Sequence, residues 1–184
     1  MWSGSGRNAD VMGESDRVRQ VYEAYDRSGW SSKWADDRAI RAERAALLAR
    51  LLATAVPGRS AGELRVLDLG CGRGELRGEL LAAGVRPENL VGADLIPDRL
   101  RDAVAGGLQA CAASGAALPF RPACFDVVLL FTVLSSIAGE AVISRMEAEL
   151  RRVLAPGGAV IVYDMRLPSP TNRELPRDRR PLGP

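Results

Sequence analysis

The 184-residue chain has no histidine, and this absence removes every mechanism that needs imidazole as a base, a proton shuttle or a metal ligand. Lysine is almost missing as well: Lys33 is the only one among 25 basic residues, and the others are arginines. Against them stand 23 acidic residues, leaving a net charge of +2 that argues against a nucleic-acid surface. Arg73, Arg77, Arg86, Arg99 and Arg101 alternate with acids instead of forming a block, which predicts a solvated, salt-bridged surface. The three cysteines, Cys71, Cys111 and Cys124, show neither metal-site nor disulfide spacing, so no metal is expected and a reducing compartment is implied. No run of about eighteen apolar residues exists, so no membrane span is expected. Residues 1–15 contain no apolar signal core, and the expected location is cytoplasmic. Aromatic residues are few, with three each of Trp, Tyr and Phe. What remains is enough chain for one domain with a real core.

What is present is an alternation of apolar strands and amphipathic helices. Residues 1–14, polar and glycine-rich, read as a disordered leader. A helix from Ser15 carries Val18, Val21, Tyr22 and Tyr25 on one face. Asp36 or Asp37 is placed to cap a second helix to Ala55, with Ile40, Ala46, Leu47, Leu51 and Leu52 as its apolar stripe. Strands are then expected at 65–69, 90–94, 108–111, 125–131 and 159–164, and helices at 75–83, 97–104 and 139–153. The fold class is therefore α/β: a Rossmann-like, mainly parallel sheet of five recognisable strands with helices on both faces, preceded by an N-terminal helical lid. The organisation is a leader (1–14), a domain (15–167, split into N-terminal helices 15–56 and a core 64–167) and an irregular tail (168–184) rich in Pro and Arg.

The densest information lies in Val66–Gly74 (VLDLGCGRG) and Val91–Asp94 (VGAD). The first is a strand running into a turn stripped of side chains at Gly70, Gly72 and Gly74, where a ligand can approach the backbone. The second is a strand ending on a carboxylate, suited to accept the hydroxyls of a ribose. In a parallel sheet both lie at the carboxyl end, where ligands bind. A nucleoside-bearing cofactor follows. The glycine order differs from the G-x-G-x-x-G dinucleotide fingerprint, and Glu75 follows directly. A carboxylate there is unwelcoming to phosphate, so a cofactor without phosphates fits better.

These segments resemble the class I S-adenosylmethionine-dependent methyltransferases of the small-molecule type. Asp68 with Gly70, Gly72 and Gly74 matches their acidic residue followed by G-x-G-x-G, and Asp94 matches their ribose-binding acid. Ala117–Phe120 (ALPF) followed by Phe125–Phe131 looks like their third motif and fourth strand. Leu154–Gly158 (LAPGG) before Ala159–Tyr163 looks like the turn into their fifth strand. The resemblance spans residues 15–167 and implies S-adenosyl-L-methionine as cofactor, held by Asp68, Gly70, Cys71, Gly72, Gly74, Asp94, Leu95, Ser114, Gly115, Ala116 and Phe131. Ser114 stands where the family often has an adenine-binding Asp, and Ile96 joins Leu95 against the adenine face. The family's sheet has seven strands, so the fifth strand here is expected at or near an uncovered edge, open to a homodimer.

Methyl transfer from a sulfonium is an in-line displacement that needs orientation and water exclusion more than acid catalysis, so the missing histidine is no obstacle. Thr132, Ser135 and Ser136 follow the fourth strand, where the family places the reacting methyl; an Asn-Pro-Pro-Tyr-type sequence, typical of amine targets, is absent. Ser135 and Ser136 also suit capping of the next helix. Asp164, at the end of the fifth strand, is the candidate base, with a salt bridge to Arg166 or Arg173 as the alternative. Tyr22, Tyr25, Trp30 and Trp34 suggest an aromatic lid, or else packing of the helix pair. Cys71 has no partner base and is expected to be inert. The expected activity is O-methylation of a sugar or secondary metabolite, without nucleic-acid or membrane partners. The alternatives are a catalytically silent cofactor-binding module or a truncated subunit of a heteromer, and a nucleotide-dependent oxidoreductase that Glu75 disfavours.

Overall fold

Five parallel strands form one sheet in the order β3-β2-β1-β4-β5 in the computed structural model, which describes residues 5–28 and 38–164. Helix α1 (Ser5–Ser28) and helix α2 (Arg38–Ala55) precede β1 (Val66–Leu69), α3 (Arg77–Ala82), β2 (Leu90–Asp94), α4 (Pro97–Ala105), β3 (Gln109–Ala112), β4 (Phe125–Phe131), α5 (Glu140–Val153) and β5 (Leu154–Tyr163). Each neighbouring pair is parallel, with Val66 opposite Leu90 on one side of β1 and Val127 on the other. The chain thus winds outward twice from β1. The carboxyl ends of β1 and β4 diverge at the switch between the two directions, which opens a crevice there.

Both faces of the sheet are covered, which is why β1 and β4 are apolar throughout except for Asp68 and Asp126 instead of alternating. Val66, Val127, Leu129 and Ile161 join Leu48, Leu52 and Leu80 in one core, while Leu67, Val128 and Leu130 join Val142, Met146 and Leu150 in the other. By this alternation Asp68 shares the face of Val66, toward α3, at the strand's carboxyl end. No helix among the described residues is long and apolar enough to cross a membrane.

Several expectations are corrected. The leader is helical from Ser5, because α1 is tied to the domain: Glu14 accepts the Ala138 N–H at 2.6 Å and Arg17 donates to the Ser136 carbonyl at 2.5 Å. The buried face of α2 is Ala45, Leu48 and Leu52, with Ala46 exposed. Alanine and leucine surround that helix almost completely, so periodicity does not choose a face. Ion pairs from Arg44 (2.6 Å) and Arg41 (3.6 Å) to the buried Glu79 of α3 orient it instead. The expected caps Asp36 and Asp37 lie outside the described residues, as does the tail. Helix α3 starts at Arg77 because the glycine turn extends through Leu76. The Leu154–Gly158 turn belongs to β5, where Leu154 pairs with Phe125 before a register irregularity.

Candidate functional site

The glycine turn after β1 is held in shape by its own amides. Gly70, Gly72 and Gly74 have φ of +83°, +56° and +83°, values that side chains resist. Gly70 and Cys71 donate N–H bonds to the Ala93 carbonyl (2.7 and 3.2 Å), and Gly74 donates to the Cys71 carbonyl (2.8 Å). Gly72 donates to Asp94 Oδ2 and Arg73 to Glu75 Oε2, both at 2.8 Å. A ligand approaching this turn therefore finds its backbone amides already engaged by protein acceptors. Cys71 turns its thiol into the core against Gly92, and burial pushes the thiol up from its ordinary range, so its side chain faces away from the crevice.

Asp68 is 2% exposed, and its Oδ1 has no hydrogen-bond partner among the described residues. Burial first, then the negative charges of Glu75 and Asp94, push its carboxyl up to about 7. A buried carboxylate oxygen left unmatched is costly, and it marks the place where a cationic ligand group would be stabilised. Asp94, at the tip of β2, is also buried; Oδ2 accepts the Gly72 N–H and Oδ1 accepts the Ile96 N–H at 2.8 Å. It thus clamps the glycine turn to β2. Each oxygen keeps a second lone pair for another donor.

The remaining predicted contacts fall around the same end of the sheet. Leu95 is half-buried and Ile96 buried. Ser114 spends its hydroxyl locally, accepting the Ala116 N–H at 3.3 Å, while its carbonyl accepts the Ala117 N–H at 2.9 Å. Gly115 packs so closely that a Cβ there would lie 2.8 Å from Met146 Sδ, and Ala116 is half-buried. Phe131 stacks on Tyr163 with centroids 4.5 Å apart. Immediately afterwards Thr132 adopts φ +55°, a conformation held by its N–H to the Tyr163 carbonyl at 2.7 Å.

Ser135 and Ser136 do not cap α5; they form a short 3-10 turn with Leu134, and Gly139 precedes the helix. Ser135 is buried, its N–H donates to Asp164 Oδ2 at 3.1 Å, and its Oγ has no partner among the described residues. The proposed partners of Asp164, Arg166 and Arg173, lie outside the described residues. Tyr22 of α1 reaches across the crevice, its hydroxyl 2.8 Å from Ser136 Oγ and 3.4 Å from the Thr132 carbonyl. The side chain of Tyr25, and Trp30 and Trp34, fall outside the described part.

One residue of the site was invisible in the sequence. Arg99, expected on a solvated surface, is buried: its guanidinium lies 5.0 Å from the centre of the Tyr22 ring and 3.3 Å from Glu75 Oε1. Nothing in the alternation of charges distinguishes it from Arg101, which is exposed and pairs with Asp98. Among the described residues no cluster of His, Cys, Asp or Glu has the arrangement to hold a metal.

A doubly wound α/β sheet with a glycine turn, a strand-end carboxylate and a buried unmatched acid at its switch point defines a nucleoside-cofactor protein. The family is specific: the model of the methyltransferase domain matches residues 67–162, over half of the 184-residue chain, and the chain belongs to that family. A demethylmenaquinone methyltransferase of Thermus thermophilus is 36% identical over 110 residues, covering 56% of this chain and 48% of that protein. The chain spans about half the length of this curated relative. Among solved structures, S-adenosylmethionine-bound CalS10, an amino pentose methyltransferase from Micromonospora echinaspora, superposes with a TM-score of 0.59 at 26% identity, covering 80% of this chain and 57% of that one. The PH0226 protein of Pyrococcus horikoshii gives 0.58 at 25% identity, covering 72% and 61%. These matches support S-adenosylmethionine as the cofactor.

Proposed function

We propose that this chain methylates a small molecule at oxygen, with a sugar or secondary metabolite as acceptor. The observation that carries the cofactor half is Asp68, whose buried, unmatched Oδ1 suits the ammonium of the cofactor's methionine part. Asp94 takes the ribose hydroxyls on its remaining lone pairs. Leu95 and Ile96 cover one adenine face, and Ser114–Ala116 border its edge. When bound, the cofactor supplies an electrophilic methyl on a sulfonium.

The acceptor half rests on the loop after β4. Its hydroxyl residues are Thr132, Ser135 and Ser136; Tyr22 meets the Ser136 hydroxyl and the Thr132 carbonyl, and the buried Ser135 Oγ has no partner among the described residues. In this reading Ser135 orients the acceptor hydroxyl and Asp164 takes its proton, leaving the oxygen's electron pair for the methyl. Closure by α1 excludes water, and orientation of this kind contributes up to roughly 7–11 kcal/mol. CalS10, an amino pentose methyltransferase, supports the sugar-like class of acceptor. One observation favours the rival reading of a silent binding module: Asp164 Oδ2 is already engaged by the Ser135 N–H. Conversion of S-adenosylmethionine to S-adenosylhomocysteine over a panel of hydroxylated acceptors separates the two.

The first test is calorimetric titration of S-adenosylhomocysteine, with Asp94→Ala alongside. Micromolar binding is expected for the wild type. The variant should bind at least about a hundredfold more weakly, since it loses two charge-assisted contacts and the clamp on Gly72. A folded wild-type chain that binds nothing refutes the cofactor assignment. The proposed protein partner is a second copy. Strand β5 ends the sheet among the described residues, with Val160, Val162 and Tyr163 exposed by 36%, 45% and 51%. Sedimentation at tens of micromolar should show a dimer that Val162→Glu dissociates; a wild-type monomer would count against it.

A further inference from the structure

The structure assigns Glu75 the role of cofactor-class filter: its carboxylate, seated on the glycine turn, admits a nucleoside bearing a cationic or neutral substituent and turns away a nucleoside phosphate. This deepens the cofactor reading above and rests on it. A phosphate bound by a glycine turn needs free N–H groups converging on its oxygens. Here all five amides from Gly70 to Gly74 already donate to protein acceptors, and two of those acceptors are carboxylates. Glu75 Oε2 takes the Arg73 N–H and also lies 2.6 Å from the position a Cβ would occupy on Gly72, so it fills the space above the turn as well as its hydrogen bond.

The side chain of Glu75 is 41% exposed, yet it is tethered. Arg99, whose own side chain is 11% exposed, holds Oε1 at 3.3 Å and is in turn covered by the ring of Tyr22. Arg99 is therefore a positioning residue that keeps the carboxylate on the turn. The other cation of the turn, Arg73, directs its guanidinium outward to Asp102. Asp68 and Asp94 lie near enough for the negative charges of Glu75 and Asp94 to push the Asp68 carboxyl up, so the turn gathers three acidic side chains and disfavours a further negative charge. Helix α3 has only six residues and begins at Arg77, so it offers no separate anion site.

The experiment titrates S-adenosylhomocysteine and ADP separately into the full wild-type chain, Glu75→Ala and Glu75→Gln, with melting curves to establish folding. The wild type should bind S-adenosylhomocysteine and give no heat with ADP. Glu75→Ala removes the charge and frees the Arg73 amide; ADP affinity should rise about tenfold or more while S-adenosylhomocysteine still binds. Glu75→Gln removes the charge but leaves an acceptor on that amide, so its gain should be smaller; it also decides the matter if the alanine variant does not fold. Folded variants that keep S-adenosylhomocysteine and still refuse ADP overturn the assignment alone. So does a wild type that binds both ligands equally. A wild type that binds neither ligand overturns the cofactor reading, and this inference falls with it.

Discussion

Affinity for S-adenosylhomocysteine is expected to fall as the pH drops below about 7, with Asp68 as the cause. In the free protein its carboxyl is pushed up to about 7 from an ordinary value of 3.8, by burial first and then by Glu75 and Asp94. The ligand ammonium favours the ionised form, so below this pH binding must first expel a proton. Affinity should decline up to about tenfold per pH unit, with up to one proton released, detectable by calorimetry in buffers of different ionisation enthalpy. At pH 8 both effects should vanish. A binding constant that stays level from pH 5.5 to 8, with no proton release, would remove Asp68 from the ammonium site.

The same carboxyl makes an opposite prediction for stability without ligand. A folded value above the unfolded one means that the native chain holds a proton the unfolded chain has lost, between pH 4 and 7. Stability therefore declines as pH rises through that window, by an amount on the order of 4 kcal/mol for the whole shift. Asp68→Asn should lift this penalty and raise the melting temperature of the ligand-free protein at pH 8. It should also weaken S-adenosylhomocysteine about ten- to hundredfold, the scale of one hydrogen bond to a charged group, and flatten the pH dependence. Stabilisation and loss of binding in one variant would identify the acid as strained for function.

The second large effect is expected at Gly70. Its φ of +83° costs an L side chain about 1–2 kcal/mol, and a Cβ there would stand 2.5 Å from Val133 Cγ2. Overpacking of this kind adds about 1–3 kcal/mol. Val133 belongs to the strained loop that begins at Thr132 and is pinned by Tyr163, Asp164 and Tyr22, so it has little room to yield. Gly70→Ala should destabilise the chain by about 2–5 kcal/mol in urea titration and abolish S-adenosylhomocysteine binding. Adding Val133→Ala should recover the steric part and leave the backbone part, giving a coupling of about 1 kcal/mol or more. Gly157→Ala, at φ +76° with nothing within 4 Å, supplies the backbone cost alone. Strict additivity of the Gly70 and Val133 changes would exclude the contact as the cause.

The sequence by itself determined the parts of this protein that are written locally. Val66–Leu69 and Phe125–Phe131 are apolar but for one aspartate each and long enough only for buried strands, and their carboxyl ends had to point to one side of a parallel sheet. Gly70, Gly72 and Gly74 announce positive φ wherever the chain goes next, and Glu75 beside them already disfavoured phosphate. The tertiary structure alone decided which groups those elements confront. Arg17 meets Ser136 across 119 residues, and Tyr22 meets the same serine across 114. Those contacts tie α1 to the loop after β4. Arg99 is buried by a tyrosine on α1 that no spacing rule connects to it. Asp94, read from the sequence as a ribose ligand, is in the structure the clamp that shapes the glycine turn, and Cys71 turns inward. The physical reason is the same throughout. Backbone conformation follows from a residue and its neighbours, whereas burial, charge pairing and the elevation of Asp68 depend on distant segments that only folding brings into contact.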